Sequence, residues 1–334
     1  MEKKELDVSS CHELQLYRAR KIMFSDTNPH TAHAHLADII YLQAWLDITS
    51  NGKVEDITLP VLINFILDHI EGLPHHVDEY LVNKGLKMRY GTHKISTVSR
   101  RLASLSVYLQ YKNKENICCD PYIRRLMQKL TKKHGGSKPK SRAITKNILN
   151  DLLDTCRGNT LSDLRDAAIL LFGWGSGGRR VSEIVSAECG NLQKCGEDEY
   201  TYTVTRSKTD QTGKGHTVPV KGRVAHALTR WLEASGITSG LIFRAVRHWN
   251  TKIKGKLCNK DVARMIRKRL ALAGYNPNLY STHGLRSGFV TEAGRQSIHI
   301  NDVMQLTNHK TVQNVLRYYQ SGSILQNRAA QLAD

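Results

Sequence analysis

The sequence predicts a mainly α-helical protein carrying one small antiparallel β-sheet, an α+β arrangement in its second half. Three observations carry that expectation. Apolar residues recur at helical spacing through most of the chain, strand-like alternation is confined to a short stretch near residue 200, and 334 residues suffice for two domains with separate cores.

Residues 1–132 read as an all-helical domain. Thr31–Asp47 (TAHAHLADIIYLQAWLD) and Leu59–Glu71 (LPVLINFILDHIE) are amphipathic, and His93–Lys112 places Ile95, Val98, Leu102, Leu105 and Leu109 on one face. Residues 133–143 then combine two glycines, a proline and basic side chains, the composition of a linker that would let two halves close around a partner. A second domain spans 144–320. Helices are expected over 145–156, 161–172, 179–187, 223–234, 259–273, 283–295, 299–306 and 311–319. Strands are expected at Glu199–Thr205 (EYTYTVT) and His216–Val220, joined by a Gly-containing turn. Residues 321–334 open on a glycine break and continue as a short tail helix.

Charge points to the partner. Forty-nine Lys and Arg face 30 Asp and Glu, a formal net charge of +19. Residues 84–147 hold 17 basic side chains against only Glu115 and Asp120, so that stretch carries +15 of the excess. A merely solvated face mixes signs; a one-sided run suits a polyanion, and nucleic acid leads. Lys94, Arg100, Arg101, Arg124, Arg125, Lys132 and Lys133 are the candidate phosphate contacts.

Other classes fall away. The longest apolar run, around Ala167–Phe172, is far short of the ~20 residues a bilayer requires, and MEKKELDVSS lacks a signal-peptide core. The expectation is a cytosolic or nuclear protein. Seven scattered cysteines without a CxxC pair support neither a disulfide framework nor a zinc ribbon, and the histidines at 30, 33, 35, 75 and 76 read as solvated side chains. Gly173-Trp174-Gly175-Ser176-Gly177-Gly178 imitates a dinucleotide fingerprint, yet the preceding segment reads as a helix and no βα alternation follows. There is no P-loop. Neither metal nor ATP is expected.

Four fragments carry the chemistry. Gly178-Arg179-Arg180-Val181-Ser182-Glu183-Ile184 sets Arg180 at a helix start, with Glu183 one turn on to orient it. Lys208 stands in a hairpin between the two strands, suited to proton delivery or to plain solvent exposure. Thr282-His283-Gly284-Leu285-Arg286 offers His-x-x-Arg, and Asn308-His309 is followed nine residues later by Tyr318, with Tyr319 beside it.

In this order the fragments resemble the tyrosine recombinase, or phage integrase, family. Its first box, typically GLRVSEL, corresponds to GGRRVSEI with the arginine on Arg180. Its hairpin lysine falls on Lys208, its His-x-x-Arg on His283 and Arg286, its next histidine on His309 and its nucleophile on Tyr318. The front half resembles the family's SAM-like core-binding domain, so nearly the whole chain is covered. One departure is Asn308 before His309, where Leu-Gly-His is common.

The resemblance implies a site-specific DNA recombinase that cleaves and rejoins strands through a 3′-phosphotyrosyl intermediate, with no cofactor. Two arginines supply planar forks for the non-bridging phosphate oxygens. A tyrosine with an ordinary pKa of ~10 needs a cationic field and a base. The implied roles are Arg180 and Arg286 as clamp, His283 as base, His309 on the phosphate, Lys208 as acid to the 5′ oxygen and Tyr318 as nucleophile. Further implications are double-stranded DNA with specific core sites, a monomer or weak dimer that becomes a homotetramer on DNA, accessory factors in some systems, a tail that docks in cis or in trans, and a bacterial or phage-encoded mobile element acting in the cytoplasm. Two alternatives stay open: relaxation of the type IB topoisomerase kind, and a DNA-binding protein without catalysis.

Overall fold

The computed structural model describes residues 29–135, 141–205, 215–247 and 252–323, and the chain divides into two units, Met1–Lys138 and Pro139–Asp334. No described helix is long and apolar enough to cross a membrane.

In the first unit, α1 (Pro29–Thr49), α2 (Leu59–Glu71), α3 (His75–Asn83), α4 (Ile95–Tyr111) and α5 (Pro121–His134) surround a core that includes Trp45, Leu62, Phe65, Leu81, Val98 and Leu105. Helix α2 has the predicted bounds: Pro60 sits in its first turn, where no N–H is needed, and Gly72 (φ 150°) ends it. At the start of α5, Asp120 accepts from the Tyr122 N–H, and Lys132, Lys133 and His134 face the negative end of the helix dipole. Helices α3 and α5 were not singled out by periodicity. Helix α5 buries only Ile123 and Leu130 and otherwise carries polar and basic residues, and it runs to His134, two residues past the end of the expected helical domain.

This core also holds a polar chain. His69 Nδ1 lies 2.6 Å from the Phe65 carbonyl, so it carries the proton and leaves Nε2 to accept from the Tyr41 hydroxyl at 2.9 Å. That hydroxyl accepts in turn from His93 Nε2 at 3.0 Å, giving a hydrogen-bond chain that runs in one direction.

The second unit places α6 (Lys146–Asp154), α7 (Leu161–Gly175), α8 (Val181–Val185), β1 (Leu192–Gly196), β2 (Glu199–Val204), β3 (His216–Lys221), α9 (Arg223–Ser235), β4 (Arg244–Arg247), β5 (Lys252–Lys256), α10 (Asn259–Leu272), α11 (Gly284–Arg295), α12 (Ile300–Thr307) and α13 (Val312–Ser323). Strands β1–β2–β3 form an antiparallel sheet in which β2 turns Tyr200, Tyr202 and Val204 inward. The sheet has one strand more than the sequence indicated, and β4–β5 make a separate antiparallel hairpin. Both additions lack apolar alternation: β1 reads LQKCG with its middle exposed, and β4–β5 read RAVR and KIKGK.

The core centres on Ile169, Phe172, Trp231, Phe243 and Leu285. Arg269 of α10 ties the start of α7 down, bonding Asp166 at 2.7 and 2.9 Å, Asp163 at 2.8 Å and the Thr155 carbonyl at 2.6 Å. Helices α11 and α13 approach through paired glycines: a Cβ on Gly294 would lie 2.2 Å from the Tyr319 carbonyl, and one on Gly322 would lie 1.9 Å from the Thr291 carbonyl. Gly322, expected to break the chain at the start of the tail, instead lies within α13, where its missing side chain is what admits Thr291. Tail residues 324–334 lie outside the described residues.

Candidate active site

The glycines that imitate a nucleotide fingerprint serve the site. A helix, α7, stands where that fingerprint requires a strand. Gly177 (φ +100°) and Gly178 (φ +66°) adopt conformations open to glycine, and a Cβ would meet the Leu306 carbonyl at 2.4 Å or Arg286 Cα at 2.6 Å. The chain thus threads between the start of α11 and the end of α12, then delivers Arg180 to the N-cap of α8.

Arg180 is partly exposed. Its Nη1 donates to Glu183 Oε1 at 2.8 Å while Glu183 Oε2 accepts from the Arg180 backbone N–H at 3.2 Å, the orientation that the one-turn spacing predicted. Arg179 is 2% exposed, and its Nη2 donates to the Leu306 carbonyl. The two adjacent arginines therefore divide: one faces the site and one is built into the wall.

Arg286, one turn into α11, is 3% exposed and donates to the Gly178 carbonyl at 2.9 Å and the Thr307 carbonyl at 2.6 Å. Burial, then the like charge of Arg180, pulls its guanidinium down to about 10. His309 follows Asn308, whose left-handed backbone (φ 54°) ends α12. Arg286 Nη2 lies 3.1 Å from His309 Nε2 and 3.3 Å from its Nδ1, and His309 Nδ1 lies 2.6 Å from the Thr307 hydroxyl. Desolvation, followed by the fields of Arg286 and Arg180, lowers His309 to about 3.

His283 is exposed at the N-cap of α11. Desolvation, then Arg286 and Arg180, lowers its pKa below the usual histidine value. Its ring meets that of Tyr318 edge to face, centroids 5.8 Å apart. Tyr318 is half-buried on α13, and its hydroxyl has no hydrogen-bond partner among the described residues. The Tyr319 hydroxyl donates to the Ile298 carbonyl. The structure thus brings together Arg180, Glu183, His283, Arg286, His309 and Tyr318. Lys208 falls within residues 206–214, outside the described residues; the strands on either side of it are paired through Val204 and His216.

Of the expected phosphate contacts, Lys94, Arg100, Arg124, Arg125, Lys132 and Lys133 are exposed; Arg100 pairs with Asp38, and Lys133 lies 3.7 Å from Glu71. Arg101 is corrected. It is 8% exposed, its guanidinium lies over the Tyr41 ring, its Nε is 3.8 Å from Asp38 Oδ1, and neither Nε nor Nη1 has a hydrogen-bond partner among the described residues, so it belongs to the core and not to a surface that meets phosphate. A second cationic surface went unnoticed in the sequence. Lys260, Arg264, Arg267 and Lys268 are exposed on α10, next to a cleft of about 320 Å³ that Arg165, Arg247 and Lys256 help to line. The signal was present in NKDVARMIRKRLAL, where basic residues recur at i, i+4 and i+8.

Residues 142–323 match the model of the phage integrase family. An integrase/recombinase xerD homolog from Selenomonas ruminantium is 29% identical over 245 residues, 71% of this chain and 71% of the relative. The Tn1549 transposon integrase, solved in complex with transposon right end DNA, resembles this chain with a TM-score of 0.60 at 14% identity, over 96% of this chain and 99% of that one. XerH site-specific recombinase, bound to palindromic difH substrate, gives 0.58 at 15% identity over 88% and 75%. A lambda integrase dimer bound to a COC' core site gives 0.57 at 14% over 95% and 82%. At such identities these structures speak to the fold. The family model covers more than half of the sequence, and on that ground the chain belongs to the phage integrase family, the tyrosine recombinases, whose members are DNA strand-transferases.

Proposed function

We propose that this chain is a site-specific recombinase of a mobile element, which cuts double-stranded DNA at core sites and exchanges and rejoins the strands as a homotetramer on the DNA. One observation carries the chemistry: Tyr318 presents a hydroxyl with no hydrogen-bond partner among the described residues, and its ring meets that of His283, which lies within the field of Arg286 and Arg180.

In the forward step, Tyr318 Oη attacks phosphorus and its proton passes to His283. The P–O bond to the 5′ oxygen breaks, and Lys208 protonates that oxygen. Arg180 and Arg286 hold the non-bridging oxygens, where charge builds in the transition state. His309 joins them by donating a hydrogen bond to the phosphate. The 3′-phosphotyrosyl bond conserves the energy for rejoining, when a 5′ hydroxyl attacks and Tyr318 leaves. DNA contact falls to the exposed basic residues of the helical first unit, a core-binding domain of the SAM-like kind, together with those of α10. The relatives bound to transposon-end, difH and core-site DNA support a duplex as partner. In this reading the tail beyond residue 323 docks on a neighbouring protomer.

The test is trapping on a library of nicked suicide duplexes without metal or ATP, followed by mapping of the linked residue and sequencing of the DNA. A 3′ phosphate on Tyr318, with transfer to a new partner strand, is the expected result. Relaxation without partner exchange would make the chain topoisomerase-like, and reversible binding without an adduct would make it a non-catalytic DNA-binding protein.

A further inference from the structure

Arg179 is a buried cation next to, but not in, the phosphate clamp, and its contacts lead back to the site by two routes. Its Nη2 donates to the carbonyl of Leu306, and more weakly to that of Gly177 at 3.4 Å. Leu306 and Thr307 are the last two residues of α12, and Arg286 takes the Thr307 carbonyl at 2.6 Å. Two guanidinium groups thus seize consecutive carbonyls at the negative end of one helix, where a cation interacts favourably with the helix dipole. Only Asn308 separates this end from His309. The second route runs through Glu183. Its Oε2 lies 3.8 Å from Arg179 Nη1, and its Oε1 accepts from Arg180 Nη1 at 2.8 Å.

Burying a guanidinium costs free energy that a hydrocarbon of similar volume would not, and Arg179 Nε has no partner among the described residues. An apolar side chain could fill the space between α8 and α12 but could not hold a carbonyl or share a carboxylate.

We propose that Arg179 is a positioning residue for strand cleavage: it fixes the end of α12, and with it the place of His309, and it shares Glu183 with Arg180 so that the Arg180 guanidinium faces the phosphate. The cleavage part of this rests on the recombinase reading; the placement of His309 does not.

The experiment uses the full chain with Arg179→Met, which keeps length and volume, and Arg179→Lys, which keeps the charge and a donor. Folding is followed by circular dichroism, DNA affinity by gel shift, cleavage by single-turnover trapping on a suicide duplex, and His309 by NMR titration of its ring. The expected result for Arg179→Met is DNA affinity within about threefold of wild type and cleavage slower by about 10²-fold, the scale of a misplaced catalytic group, with part of the rate returned in Arg179→Lys. His309 is expected to titrate at higher pH in Arg179→Met than in wild type. In the double variant with His309→Ala, the Arg179→Met loss is expected to shrink, because one of the two groups through which Arg179 acts is gone. Cleavage at the wild-type rate in Arg179→Met, or full additivity with His309→Ala, overturns the proposal. If Arg179→Met does not fold, Arg179→Lys decides it: a wild-type cleavage rate with an unmoved His309 titration overturns it. If the wild-type chain forms no adduct, the recombinase reading fails and the ring titration judges Arg179 alone: unmoved, it overturns the proposal, and shifted upward, it upholds the placement of His309.

Discussion

His283 and Tyr318 meet edge to face, ring centroids 5.8 Å apart, although 35 residues of chain separate them. Helix α11 brings this about. It begins at His283, and its glycine-smoothed flank is the surface on which α13 rests. Tyr318→Phe is therefore expected to keep DNA affinity and lose covalent attachment. Tyr319→Phe should keep attachment and lose about 1 kcal/mol of stability with its bond to Ile298. Adduct yield and thermal melting of the two variants check both, and an adduct undiminished in Tyr318→Phe would remove the nucleophile assignment.

In the proposed mechanism His283 sets the pH dependence of cleavage. His283 must be neutral to accept a proton, and its pKa is lowered, so the neutral form persists below the ordinary histidine midpoint. Single-turnover cleavage is expected to stay level from pH 8 to 6.5 and to fall only in more acidic buffer. A midpoint at or above 6.5 would exclude His283 as the base.

Gly178→Ala tests the close approach to Arg286. The new methyl would sit 2.6 Å from Arg286 Cα at a backbone angle that favours glycine. Overpacking of this kind costs about 1–3 kcal/mol, and displacement of Arg286 should slow cleavage by about 10²-fold. DNA affinity, read by gel shift, should change far less.

Arg101 separates core from surface. Arg101→Ala is expected to lower stability by about 2 kcal/mol through loss of its contact with the Tyr41 ring and its ion pair with Asp38, with no change in the salt dependence of DNA binding. Replacing Arg124 and Arg125 together should leave the melting temperature unchanged and reduce the slope of log affinity against log salt by about 2. The two slopes, measured side by side, distinguish a packed cation from phosphate contacts.

Acid should weaken the first unit. His69 is held well below its usual pKa and His93 is lowered to about 4, in both cases chiefly by desolvation. As the pH falls through 6.5 the unfolded chain takes up protons that the folded chain refuses. Their contribution is therefore complete above 6.5 and is lost as pH falls toward the folded value. Denaturant midpoints at pH 7 and 4.5 measure the loss, and His93→Gln should reduce it.

How much the sequence showed depended on how locally each feature is encoded. The bounds of α2 were legible because its apolar period, its proline and its terminal glycine all lie within one short segment. The pairing of Glu183 with Arg180 was legible because an i, i+3 spacing mirrors helix geometry. Arg101 was misjudged because a position at the flank of an apolar stripe does not say what lies opposite, and the ring that claims it is Tyr41, on another helix. The part played by Arg179 was hidden for the same reason, since Leu306 is 127 positions away. Strands β4 and β5 are held by their ladder and carry no strand-like alternation to announce them.

The donors of Arg180 and Arg286 are unequally committed. Arg286 has Nε turned to His309, Nη1 to Gly178 and Nη2 to Thr307 and His309, so among the described residues one of its five N–H groups is left over. Among the described residues Arg180 gives one to Glu183 and keeps four. A phosphodiester seated between them would be gripped more fully on one prochiral oxygen than on the other. The pocket is therefore handed, and substituting sulfur for one non-bridging oxygen should slow one diastereomer more than the other.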